Sequence, residues 1–139
     1  MILIDTNVIS EPLRVSPDPQ VVDWLDVQPL ETLFLSVVTV AELRFGVALL
    51  PTGKRRDGLR ERLETQVLPS FTGRILSFDL AATQAYADLM ATAQATGLAI
   101  GMADGYIAAI ARSNRMTVAT RDTSPFNAAG VSVINPWLV

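Results

Sequence analysis

Apolar residues along this chain come in two patterns. Short unbroken runs alternate with longer stretches in which apolar positions recur every three or four residues. The runs read as buried strands and the longer stretches as helices. Ile2 to Ile4 is the first expected strand, stopping at Asp5. Thr32 to Ser36, Arg74 to Phe78, Thr117 to Thr120 and Val131 to Ile134 are the others.

Between them, Thr6 to Leu13 reads as a turn and a short helix, broken by Pro12, Pro17 and Pro19. From Pro19, Gln20 to Leu25 is amphipathic and ends before Pro29. Val38 to Leu50 forms a helix closed by Pro51-Thr52-Gly53. Leu59, Leu63 and Val67 recur every four residues, which predicts a helix from Arg55 to Leu68. Asp79 can cap a helix that runs through Tyr86, Leu89 and Met90 to Gly97. Met102 to Ser113 is the last. Strands that alternate with helices point to an α/β fold with a parallel sheet covered on both faces.

Composition narrows the chemistry. The chain has 139 residues, half of them hydrophobic, with a net charge of −3. That is one domain of ordinary size with a real core. It contains no cysteine and no histidine. Disulfides, thiolate zinc sites, a cysteine nucleophile and a Ser-His-Asp triad are all excluded. Any acid–base group or metal ligand comes from carboxylates, hydroxyls, amides, lysine or arginine. Ala99 to Ala111 is apolar, but short and interrupted by Asp104, so no membrane span is expected. With no signal segment either, a soluble cytoplasmic protein is expected.

Four acids stand at chemically informative places. Asp5 and Asp122 each follow a strand, where a helix cap or Asx turn is the ordinary reading. Asp104 lies in the first turn of an otherwise apolar helix, next to Gly105, and suits the helix dipole there. Glu42 lies on a helix apolar nearly all round, in a narrow stripe with Thr39 and Gly46. A charge there needs a partner, either a distant arginine such as Arg112, Arg115 or Arg121, or a function.

In a parallel sheet, the ends of strands and the starts of the helices after them share one edge. All four acids can therefore meet in one crevice. Packed carboxylates repel one another, and a divalent cation removes that strain. All-oxygen ligation selects Mg²⁺ or Mn²⁺, which serve phosphate chemistry. Thr6, Asn7, Thr120 and Thr123 can orient the carboxylates or ligand waters.

These residues fall in blocks. Ile4-Asp5-Thr6-Asn7-Val8-Ile9-Ser10, Ser36 to Leu43, Ala103 to Ala109 and Val118 to Asp122 follow in order, and Asn135-Pro136-Trp137 closes the chain. In these blocks the chain resembles the PIN-domain ribonucleases, in particular the VapC-type toxins of toxin–antitoxin pairs and their FitB-like branch. The resemblance spans residues 1–139 as a single domain. It implies a three-layer fold with a five-stranded parallel sheet in the order 3-2-1-4-5. It implies Mg²⁺- or Mn²⁺-dependent cleavage of RNA that leaves a 5′-phosphate and a 3′-hydroxyl. By it, Asp5, Glu42, Asp104 and Asp122 form the catalytic site. By it too, Asp5 and Asp104 are direct metal ligands, with Thr6, Asn7 and Thr120 behind them; Asp122 is expected to support a ligated water or a second ion. The implied partners are a small DNA-binding antitoxin and a second copy of the chain in a homodimer.

Two other readings compete. A PIN fold with weak catalysis can serve mainly to sequester an antitoxin and co-repress its operon. A phosphotransfer domain also places Asp after a strand, but no second Asp follows two residues on, and the only lysine is Lys54. The basic run of Lys54, Arg55, Arg56, Arg60 and Arg62 reads either as a solvated helix face, with Asp57, Glu61 and Glu64 as internal partners, or as a contact for partner or RNA. Leu49, Leu50, Leu59 and Leu63 beside it extend the core or form an interface.

Overall fold

The computed structural model describes all residues 1–139. Five parallel strands make one sheet: β1 (Ile2–Ile4), β2 (Leu33–Ser36), β3 (Ile75–Leu76), β4 (Thr117–Ala119) and β5 (Val133–Ile134). Their order is β3-β2-β1-β4-β5, the 3-2-1-4-5 order expected. In register, Ile2 lies beside Leu33 and Thr117, and Ile4 beside Ala119. β1 is thus central, and both its faces are covered. Successive side chains point to opposite faces of a strand. Leu3 and Val118 accordingly join one core with Ile107, Ile110, Leu89 and Phe126. Ile4 and Ala119 join the other, with Leu33, Leu35, Val40, Leu43 and Leu63.

The helices are α1 (Thr6–Ile9), α2 (Pro19–Val27), α3 (Val37–Ala48), α4 (Lys54–Arg62), α5 (Leu68–Ser70), α6 (Leu80–Ala95), α7 (Met102–Ser113) and α8 (Ser124–Ala128). Each of the longer expected helices is present, with local corrections. The helix expected from Arg55 to Leu68 is not uniform. Leu63–Val67 widens into a π turn before Pro69, which lets Leu63 and Leu68 both reach the core. The third and fifth strands are two residues long, shorter than their apolar runs. Both are edge strands with a neighbour on one side only. α8 has no counterpart among the expected elements: Pro125 lies in its first turn, and Phe126, fully buried, anchors it.

Ser36 caps α3 by accepting from the Thr39 amide at 3.1 Å, and Asp79 caps α6 by accepting from the Ala82 amide at 2.9 Å. α6 and α7 pack closely at Gly105. A Cβ there would lie 3.1 Å from Met90 Sδ and 3.1 Å from the Tyr86 ring. The glycine lets the first turn of α7, which carries Asp104, pack closely on α6. A large side chain at this point pushes that turn outward. Gly105→Leu is expected to cost about 1–3 kcal/mol of stability by overpacking, measured by urea denaturation, with Leu89→Ala as a cavity-forming control.

Candidate active site

Asp5 follows the last residue of β1, and its amide donates to the Ala119 carbonyl at 2.9 Å. Its carboxylate caps α1, accepting from the Thr6 amide at 2.8 Å, and also accepts from Thr120 Oγ1 at 2.8 Å. Asn7 Nδ2 lies 3.4 Å from both Asp5 Oδ2 and Thr120 Oγ1. The cap reading of Asp5 is therefore right, and the cap leaves its second oxygen on Thr120. Thr120 is fully buried, and its hydroxyl also accepts from the Asp122 amide at 3.2 Å.

Glu42 lies across the crevice. Thr6 Oγ1 donates to Glu42 Oε1 at 2.7 Å and lies 3.2 Å from the buried Thr39 hydroxyl. The setting of Glu42 corrects the reading made from periodicity. α3 is buried on one stripe only, formed by Thr39, Val40, Leu43 and Val47. Glu42 itself is exposed. It pairs with none of Arg112, Arg115 or Arg121; its partner is a threonine. The apolar residues on the other side of α3 face solvent, with Phe45 64 % and Leu49 67 % exposed.

Asp104 is half-buried in the first turn of α7, and Asp122 is exposed just past β4. No protein donor bonds either side-chain carboxylate. The ion pairs of the chain are Arg14–Glu11, Arg44–Glu64 and Arg56–Asp57, so none neutralises any of the four acids. The basic run on α4 reads largely as a solvated face: that helix buries no residue, and Glu64 pairs with Arg44 rather than with the run.

The four acids feel one another. Burial, with the charges of Asp104 and Glu42 adding to it, raises the Asp5 carboxyl to about 6 against the lowering effect of the Thr120 and Thr6 bonds. Burial also raises Asp104, with Asp122 and Glu42 adding to the shift. One rim thus carries all four, with Thr6, Asn7 and Thr120 among them. No three acidic side chains, however, close around one point as a ready ligand set. The donor chemistry suits a hard dication: oxygen only, mutually repelling and without a cationic partner.

A largely apolar hollow of about 310 Å³ opens beside the rim, lined by Thr6, Glu42, Leu13, Leu50, Leu59 and Arg55 among others. The basic helix therefore reaches the neighbourhood of the site through Arg55. Sequence reasoning did not anticipate the ring of contacts that joins Asn7, Arg121, Asn135 and Trp137. Arg121 N donates to Asn7 Oδ1 at 3.1 Å, and the Arg121 guanidinium lies 5.0 Å from the Trp137 ring centre. The closing Asn135-Pro136-Trp137 block was its only signal.

A parallel sheet in this order, with four uncompensated acids at its carboxyl edge, describes a class of acidic-site α/β proteins. The PIN domain model matches residues 2–131, and the chain belongs to the PIN-domain family. It is 63 % identical over 137 residues to plasmid stability protein StbB of Pseudomonas syringae pv. tomato, covering 99 % of each chain. It is 59 % identical to VapC ribonuclease Y4jK of Sinorhizobium fredii, covering 99 % of this chain and 98 % of that one. It is 57 % identical to toxin FitB of Neisseria gonorrhoeae, covering 99 % of each. The crystal structure of FitAcB from Neisseria gonorrhoeae superposes with a TM-score of 0.97 at 56 % identity over the whole of both chains. That of FitAB bound to an IR36 DNA fragment gives 0.96 at 56 %, covering 99 % of this chain and 96 % of that one.

The raised Asp5 carboxyl has a signed consequence for the metal-free protein. Between its ordinary 3.8 and about 6, the folded state holds a proton that the unfolded state has lost. Stability therefore falls as pH rises through that window, by up to about 3 kcal/mol, and stays lower above it. Asn cannot ionise, and its amide can donate to Thr120. In chelator, Asp5→Asn is expected to melt several degrees above wild type at pH 8, with the two curves converging near pH 4. Equal melting temperatures at both pH values would refute this.

Proposed function

We propose that this protein is a Mg²⁺- or Mn²⁺-dependent endoribonuclease, the toxin of a type II toxin–antitoxin pair acting in the cytoplasm. The observation that carries the proposal is the set of four carboxylates on one sheet edge, none of them in an ion pair with a cation of the protein. The names of the relatives, VapC ribonuclease and toxin FitB, support it independently.

Asp5, Asp104 and Asp122 would hold the metal, which supplies charge neutralisation at the phosphate and a more acidic water. Glu42 orients the attacking water or takes its proton, and Thr6 fixes Glu42 for that role. Asn7 and Thr120 hold the Asp5 carboxylate in one orientation. Water oxygen forms the new bond to phosphorus, and the bond to the ribose 3′ oxygen breaks. The products are a 5′-phosphate and a 3′-hydroxyl. This route needs no histidine, and the chain has none.

The partners we infer are an RNA substrate, a small DNA-binding antitoxin and a second copy of the chain. The hollow between Glu42 and Arg55 suits the antitoxin: it is apolar within, and its rim carries both signs of charge. The outer face of α3 suits the second copy. Val37, Phe45 and Leu49 are exposed there, and an uncharged apolar stripe of this kind marks an interface.

Total RNA incubated with the protein and Mn²⁺ should be cut, and chelator or Asp104→Asn should each abolish cutting, with the variant still folded by circular dichroism. A folded Asp104→Asn protein that cuts at the wild-type rate would sink the assignment. Metal-independent antitoxin binding with no cleavage at all would favour the sequestering role instead. Phe45→Glu should convert the dimer to a monomer in sedimentation velocity; an unchanged sedimentation coefficient would place the dimer contact elsewhere.

A further inference from the structure

Arg121 stands between Thr120 and Asp122, on the rim that carries the acids. Its main chain is fixed on both sides. The amide donates to Asn7 Oδ1 at 3.1 Å, and the carbonyl accepts from Asn135 Nδ2 at 3.5 Å. Asn7 in turn contacts Asp5 and Thr120, so the position of Arg121 is tied to the site.

Its side chain does the unexpected thing. It is exposed, and carboxylates lie close by, yet it forms no ion pair. The guanidinium lies over Trp137, 5.0 Å from the ring centre. Trp137 is held in turn: its amide donates to Asn135 Oδ1 at 3.0 Å, and its ring packs, half-buried, against the core around Ile4 and Val8. The indole face attracts the cation and keeps it out of the acidic crevice. An arginine held over a ring keeps its full charge and its fork of N–H donors, which matches a phosphate.

We propose that Arg121, held by Trp137, binds a backbone phosphate of single-stranded RNA beside the one that is cut. The inference rests on the ribonuclease reading. Arg121 is the contact and Trp137 the positioning residue. It also resolves a conflict of charge. A chain of net charge −3 must bring a polyanion to a cluster of carboxylates. A cation parked beside them, not paired with them, draws the strand in and leaves the crevice to the metal.

The test is fluorescence anisotropy of a labelled single-stranded RNA 12-mer, with calcium in place of manganese and with sodium chloride varied. Arg121→Ala should weaken binding roughly tenfold at low salt and flatten the slope of log affinity against log salt by about 0.7, one phosphate contact's share for a single strand. Arg121→Lys should restore the slope but only part of the affinity. Trp137→Ala should weaken binding with the slope kept, since the charge remains, and Trp137→Phe should recover most of it. A merely structural role for the contact moves stability and leaves the slope alone. Cleavage by wild type in manganese is scored in parallel. No cutting overturns the ribonuclease reading itself. Cutting combined with identical binding by wild type and Arg121→Ala, or with no binding by wild type, overturns the clamp alone. Trp137→Ala binding like wild type overturns the positioning role.

Discussion

The architecture at the sheet edge depends on one electrostatic constraint: a nearly buried carboxylate, Asp5, sits at the end of the central strand with no cation to meet it. Asp5 is only 5 % exposed. Hydrogen bonds from Thr6 and Thr120 stabilise its ionised form, yet burial wins and its carboxyl rises to about 6. A structural carboxylate in such a place would be paired with arginine. Here the arginines go elsewhere, Arg14 to Glu11, Arg44 to Glu64 and Arg121 to Trp137. The fold thus leaves a negative hole that hydroxyls and an amide shape but do not fill. Stability is given up at this edge, and what can recover it is a ligand of opposite charge.

The sheet order, the two covered faces and most of the helices were legible because β1, β2 and β4 are short apolar runs and the helices are periodic. β1 lies between two neighbours, so its side chains must be apolar on both faces, and Leu3 and Ile4 are. The edge strands were harder to bound. Apolar residues such as Phe78 and Val131 continue past their ends because they pack against helices, not because they are paired in the sheet. α8 was missed because five residues carry too little periodicity, and its one anchor, Phe126, looks like any loop aromatic. The π turn at Leu63–Val67 preserves the apolar spacing that predicts an ordinary helix, so nothing local marks it.

The site was legible as a set of positions and less so as contacts. Asp5, Asp104 and Asp122 could be placed from the rule that strand ends and helix starts share an edge. Glu42 was drawn to the same edge by the right rule and given the wrong surroundings. Periodicity cannot separate apolar residues that face the core from apolar residues that face solvent, and α3 carries both. Val40, Leu43 and Val47 face inward; Val37, Phe45 and Leu49 do not. Glu42 therefore needs no buried ion pair, and a threonine from the neighbouring element is enough. The same ambiguity hid the outward apolar stripe of Val37, Phe45 and Leu49.

Histidine is absent, and that constrains how a water can be activated at neutral pH. A lone exposed carboxylate is a weak base there, and a lone buried one resists ionisation. The arrangement here divides the problem. Asp5 and Asp104 are held where their charge is costly, so they gain most from a cation. Glu42 stays exposed on the opposite wall, bonded to Thr6, and remains free to meet a water. In the mechanism we propose, the more buried Asp5 and Asp104 gain most from a cation, while the exposed Glu42 is left to meet a water. Moving Glu42 into the core, or Asp5 out of it, would erase that difference without changing the number of carboxylates. Burial, more than the count of acids, is what makes this edge capable of chemistry.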